Sequence, residues 1–155
     1  MREFKLGDYS FALVRKPSNV FRGSEREKLV DELTDVARSA FGPHMTREDV
    51  AAHVLPVSSL LLIKKGGSVV GFSGTEVLTL NRKKFVYLTG SAIKREEQGQ
   101  GLYSLERALS LLAAGTQAKP HFVGARTQNP LVYAFLAKIG VWPRHTAENP
   151  PSHVV

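Results

Sequence analysis

The chain has 155 residues, 43% hydrophobic and 23% charged, which suits one domain with a buried core and excludes a wholly disordered chain. It contains no cysteine, which excludes disulfides, thiolate metal sites and a thiol nucleophile. The formal charge of +7 is scattered through Lys64-Lys65, Arg82-Lys83-Lys84 and Lys94-Arg95, with no block long enough to mark a basic tail; it favours an anionic partner such as a phosphorylated cofactor.

In chain order, Met1 to Ser10 carries Arg2, Glu3, Lys5 and Asp8 with no long apolar run, so a signal peptide is not expected and a soluble cytoplasmic protein is the default. The longest apolar stretch, Leu60-Leu61-Leu62-Ile63, is too short to cross a bilayer, and no membrane association is expected. Tyr9 to Lys16 reads as a strand closed by Pro17. Ser24 and Glu27 have the spacing of a capping box, and Leu29, Val30, Leu33, Val36, Ala37, Ala40 and Phe41 follow at helical spacing up to Gly42-Pro43. A shorter helix is expected from Thr46 to about Val54. Three strands in hairpin arrangement come next: Leu60 to Lys64, Ser68 to Leu80 after the Gly66-Gly67 turn, and Phe85 to Ile93. Leu102, Leu105, Ala108, Leu109 and Leu112 then mark a helix from near Gly101 that ends before Gly115. His121 to Thr127 reads as a strand, and Asn129-Pro130 opens a last helix that stops at Gly140. This order describes a mixed α/β domain spanning residues 1–155, with a largely antiparallel sheet, one late β-α-β unit and a loose tail over 144–155.

The segment richest in chemistry is Gln98-Gly99-Gln100-Gly101. It lies between a strand end and a helix start, where backbone N–H groups point outward and the helix adds about half a positive charge. Lys94 and Arg95 raise the local potential. By itself a Gly-x-Gly before a helix also describes a plain tight turn. It is not a P-loop, because no Gly-Lys-Ser/Thr follows, and the dinucleotide fingerprint lacks its third glycine.

Gln98-Gly99-Gln100-Gly101-Leu102-Tyr103 resembles the cofactor loop Gln/Arg-x-x-Gly-x-Gly/Ala of the GCN5-related N-acetyltransferase superfamily, with Ile93 at the family's apolar strand end. Asn129, 28 residues after Gly101, and Gly140 keep the family's spacing for a cofactor-contacting Asn and its helix-ending Gly. Two departures stand out: Tyr103 replaces the usual Gly or Ala, and Leu136 replaces a tyrosine that protonates the leaving thiolate in many members. The resemblance implies acetyl-coenzyme A as cofactor and two splayed parallel strands near Ile93 and Thr127. It further implies contacts from the backbone of Ser91, Ala92 and Ile93, from Gln98, Gly99, Gln100, Gly101, Leu102 and Tyr103, and from Asn129. It also implies two more strands after the last helix. The short Pro-rich remainder leaves three alternatives: a single strand, a partner subunit completing a homodimer, or a chain that is a fragment.

Direct attack by an amine on the thioester is favoured over a covalent intermediate, since no cysteine is present. The acceptor is a small-molecule or peptide amine that the sequence does not specify. Strand alternation places Val70, Phe72, Gly74, Glu76, Leu78 and Leu80 on one face and makes Glu76 the candidate base, unless a bulge at Gly74 turns it outward. Tyr133, one turn before Leu136, is the candidate acid, with core packing as its alternative. His53 is the reserve base. The histidines show no metal spacing. A cofactor-binding module without catalysis is the second reading, and a basic nucleic-acid-binding protein, which lacks any recognition motif, the third.

Overall fold

The computed structural model describes residues 2–125 and Ala134. Met1–Ala125 forms one compact unit and Arg126–Val155 a second. The elements of the first unit are β1 (Arg2–Leu6), β2 (Tyr9–Arg15), α1 (Pro17–Val20), α2 (Gly23–Phe41), α3 (Arg47–Val54), β3 (Ser59–Lys65), β4 (Ser68–Leu80), β5 (Lys83–Ile93), α4 (Leu102–Ala118) and β6 (Phe122–Ala125). The six strands lie in sequential order, antiparallel through β5, and β6 joins β5 in parallel after the α4 crossover. No helix among the described residues is long and apolar enough to cross a membrane.

The apolar run of β3 follows from its central place. Leu60 and Leu62 pack on one face with Leu29, Val30, Leu33 and Val36 of α2 and Val50 and Val54 of α3. Leu61 and Ile63 pack on the other with Leu102 of α4. A strand covered on both faces reads as continuous hydrophobicity rather than alternation. Helix α3 begins where Thr46 Oγ1 accepts from the backbone N–H of Asp49 at 3.1 Å, and Arg47 ties it to Asp31 and Glu27 of α2.

Five local expectations are corrected. β1 and α1 were not expected; β1 pairs along β2, with Phe4 stacked on Phe11 at 4.9 Å. Helix α2 starts at Gly23 after Arg22, with no side-chain cap, so Ser24 sits inside the first turn and closes no capping box. Helix α4 runs through Gly115 to Ala118, because one helical glycine costs only about 1 kcal/mol. Strand β4 carries an extra residue where Ile63 and Lys64 face Gly71 and Val69. That bulge sends Val70 to the α4 face while Phe72 packs under α2, so the strict alternation along β4 fails there. Finally, the buried stripe of α4 is Leu102, Glu106, Ser110, Ala114 and Ala118, a spacing of four; Ala108 and Leu112 face outward.

Candidate functional site

The site is built on β5 and the start of α4. Strand β5 pairs with β4 as far as Ile93 opposite Gly71, while its other edge pairs with β6 only from Phe85 to Leu88. Between the pairs Thr75–Leu88 and Ser73–Ser91, β4 has one residue, Gly74, and β5 has two, Thr89 and Gly90. This bulge depends on glycine: a Cβ at Gly74 would lie 2.1 Å from Thr89 Oγ1. Past it, residues 89–93 of β5 have no strand partner along the outer edge among the described residues. Those of their backbone groups that face this edge, apart from the Ile93 carbonyl, can pair with an extended ligand. Ala92 and Ile93 are buried, Ala92 under α2 and Ile93 beside Leu102, while Ser91 is half-buried.

Beyond β5 the chain makes one 3-10 turn, Arg95–Glu97, and enters α4 through two glycines with positive φ, Gly99 (+82°) and Gly101 (+76°). Gly101 caps α4 without a side-chain cap hydrogen bond, and the space at both glycines is open. Gln98 Nε2 donates to the carbonyl of Ile93 at 2.8 Å, joining the loop to the strand edge. Leu102 is buried against Phe11 and Ile63, and the Tyr103 ring packs at the same cluster beneath the Arg107 guanidinium, 5.2 Å from its centre. The loop thus brings glycine backbone donors to a helix start, the arrangement a phosphate or pyrophosphate requires.

A polar clamp holds this loop against the first hairpin. Tyr9 Oη lies 2.6 Å from Glu97 Oε2 and 2.6 Å from Gln100 Oε1, and its one proton serves one acceptor at a time. Lys65 Nζ donates to both Glu97 oxygens at 3.0 Å and sits over the Tyr9 ring. The Tyr9 hydrogen bond, then that of Lys65, holds the Glu97 carboxyl below its usual range, while the bond to Glu97 raises both Tyr9 and Lys65.

The functional group that sequence reasoning missed is Glu106. It is completely buried under α4, and both of its oxygens accept from Ser91 Oγ, at 2.9 and 2.8 Å. Arg107 Nε lies 3.3 Å from Oε1, and Ser73 and Ser110 complete a polar interior. Burial pushes the Glu106 carboxyl up to about 7, against the opposing pull of Arg107, Ser91 and Ser73. The signal was in the sequence as the four-residue spacing Leu102, Glu106, Ser110, Ala114, in which small residues rather than leucines mark the packed face.

Glu76 stands in β4 opposite Tyr87 of β5 and is half-buried. It lies two residues past Gly74, where an added Cβ would stand 3.1 Å from Val57. The extra residue of the irregularity at Gly74 belongs to β5. Among the described residues no ion pair neutralises Glu76. His53 is exposed and its Nδ1 lies 2.7 Å from the carbonyl of Asp49, which gives it a local helix role. No group of three metal-ligating side chains occurs among the described residues. Tyr133, Asn129, Leu136, Gly140 and Thr127 lie outside the described residues, as do the tail over 144–155 and the end of the second strand, near Thr127, where the splay is expected; the described part of that strand, β6, pairs with β5.

The sequence matches no family model, and no curated protein matches it either. Solved structures do match. The glucosamine N-acetyltransferase region of a fungal multi-domain β-N-acetylglucosaminidase superposes with a TM-score of 0.65 at 17% identity, over 84% of this chain and 17% of that one. A ribosomal-protein-alanine N-acetyltransferase from Brucella melitensis biovar Abortus 2308 gives 0.61 at 13% identity, over 88% and 96%. The aminoglycoside N-acetyltransferase AAC(6')-Iy in complex with CoA gives 0.61 at 9% identity, over 94% and 93%. The fold of this chain is that of the GCN5-related N-acetyltransferases, with a six-stranded, largely antiparallel sheet flanked by helices.

Proposed function

We propose that a chain with this fold is an N-acetyltransferase that moves an acetyl group from acetyl-coenzyme A to an amine by direct attack in a ternary complex. One observation carries the reading: a helix start without a side-chain cap and with two positive-φ glycines adjoins a strand edge, residues 89–93 of β5, that has no strand partner among the described residues, so an anion site and an extended-chain site are continuous. The N–H groups of the loop, Gly99 to Tyr103, would hold the pyrophosphate, beside Gln98, whose own N–H closes the 3-10 turn on the Arg95 carbonyl. The backbone of Ser91, Ala92 and Ile93 would hold the amides of the pantetheine arm, and Asn129 a further part of the cofactor. When bound, the cofactor supplies an activated acyl thioester. The β5 bulge leaves backbone donors free to polarise a carbonyl. Glu76 accepts the amine proton, which the neutral nucleophile requires. Tyr133 is the acid that the sequence nominates.

The acceptor is a small-molecule or peptide amine, as the aminoglycoside and ribosomal-protein acceptors of the structural neighbours support. We take the chain to act as one soluble, cytoplasmic domain or as a homodimer, without a nucleic-acid partner.

Acetyl-coenzyme A at a hundred times its Kd should stabilise the protein by about 2.7 kcal/mol, read as a rise in Tm. Gly101→Val should abolish the rise, because the loop needs its positive φ and an open approach. No rise for the wild-type protein at millimolar cofactor removes the reading. Glu76→Gln should keep the Tm rise and lower kcat ~10²–10⁴-fold. A variant that turns over normally assigns the proton to another base.

A further inference from the structure

Glu106 is a buried carboxyl in a position where a purely structural role is better served by an apolar residue, since a buried charged group is costly to desolvate. Its setting is specific. It points both oxygens at one hydroxyl, Ser91 Oγ, at 2.9 and 2.8 Å, and Ser91 is the half-buried residue of β5 that follows the Thr89–Gly90 bulge. Ser91 therefore joins the interior beneath α4 to the stretch of β5 that has no partner on its outer edge among the described residues. The groups facing Glu106 are few: Arg107 from its own helix, Ser91 from β5 and Ser73 from β4, with Ser110 against Ser73. Among the described residues, Arg107 is the one charged side chain in that set.

Resting on the acetyl-transfer reading, we propose that Glu106, acting through Ser91 and in place of Tyr133 as the acid, is the proton store for the thiolate that leaves at the β5 edge. A serine hydroxyl donates one proton and accepts two hydrogen bonds. When Glu106 is protonated it donates to Ser91 Oγ, and Ser91 is free to donate outward. As the amine nitrogen bonds the acyl carbon, the carbon–sulfur bond breaks and its electron pair stays on sulfur. Ser91 passes its proton to that sulfur and takes the proton of Glu106. Glu106 is left as a carboxylate beside Arg107 and recovers a proton from water through Ser91 once the products leave. The amine proton departs separately to the base, and no oxidant or reductant is involved. When Glu106 is ionised, Ser91 donates inward to it and has nothing to give. The raised carboxyl value, about 7, agrees with a group that holds its proton near neutrality. Glu106 acts through another residue, and its part is to position and recharge Ser91.

The first test needs no acceptor. In protein labelled with ¹³C at the glutamate carboxyls, one resonance should titrate near pH 7, vanish in Glu106→Gln, and move its midpoint when coenzyme A is added. The second is a pH profile with acetyl-coenzyme A and an amine. Wild type should lose kcat above about pH 7; Glu106→Gln and Ser91→Ala should lack that limb and fall ~10–10²-fold in kcat, with KM for acetyl-coenzyme A nearly unchanged, and Ser91→Thr should restore it. If Glu106→Gln does not fold, Ser91→Ala and Ser91→Thr carry the comparison. Variants that keep the wild-type limb, or a Glu106 resonance indifferent to coenzyme A, overturn the proton store and leave acetyl transfer standing. A wild-type protein that does not bind coenzyme A overturns both.

Discussion

The two faces of the sheet are packed on different terms. Beneath α2 and α3 the interior is apolar and mostly aliphatic: Ala12, Val14, Leu29, Leu33, Val36, Leu60 and Leu62 meet there with Phe72, and buried Thr34 satisfies its hydroxyl on the Val30 carbonyl at 2.7 Å. Beneath α4 a smaller apolar cluster gives way to Glu106, Arg107, Ser73, Ser110 and Thr75, all buried. The first face takes its stability from burial of apolar area, which is indifferent to pH. The second trades part of that stability for polar groups that surround the candidate site. A domain can carry an ionisable interior on one side because the other side holds the sheet together.

The comparison breaks most sharply at Leu33. It is fully buried in the aliphatic face, so Leu33→Ala should lower unfolding free energy by ~2–5 kcal/mol in urea titrations, equally at pH 5 and pH 8. A loss below ~1 kcal/mol would mean that this face does not anchor the unit.

On the α4 face the expectation is a dependence on pH. The folded Glu106 carboxyl sits at about 7, above its ordinary 4.5, so between those values the native state binds the extra proton. Stability must then fall as pH rises from 4.5 to 7 and level off above. The span corresponds to on the order of 3 kcal/mol. Urea midpoints of wild type and Glu106→Gln should diverge across that window, with the wild type losing stability and the variant flat in this component. Parallel curves would show that the carboxyl is already ionised when buried.

How much of this was legible divides along the same line. The aliphatic face was readable because Leu29, Val30, Leu33, Val36 and Ala37 recur at helical spacing and Leu60 to Ile63 form a run. The glycine loop was readable because positive φ leaves a residue-type signature at Gly99 and Gly101. The interior of α4 was only partly so: Leu102, Leu105 and Leu109 do pack at the core, but hydrophobic counting added exposed Ala108 and Leu112 and passed over the Glu106 and Ser110 positions; packing against a strand rich in Ser and Gly selects small and polar residues. The β4 bulge that separates Val70 from Phe72 also left no local mark, because its register is set by pairing with β3, a contact between distant residues. Nor could the clamp be read, as it joins Tyr9 to Glu97 across 88 positions.

The clamp gives the smallest effect and the finest distinction between the faces. It lies at the rim, where Tyr9 and Lys65 reach Glu97 beside the glycine loop, and solvent screens it. Tyr9→Phe removes the hydroxyl that bonds Glu97 and faces Gln100 while keeping the ring under Lys65. The fold should survive with little change in Tm, because the aliphatic face is untouched. Coenzyme A affinity should fall a few-fold, since the loop must then be ordered at the moment of binding rather than beforehand. The sign with pH is fixed by Glu97, whose carboxyl is held below its usual range: the clamp contributes above that range and is lost as pH falls through the lowered value. Any Tm difference between wild type and Tyr9→Phe should therefore be present at neutral pH and close in acid. Calorimetric titration of both proteins with coenzyme A at neutral pH is the decisive measurement. Equal affinities would show that the Tyr9–Glu97 contact fastens the hairpin only, and that the glycine loop is held by α4 and Gln98 alone.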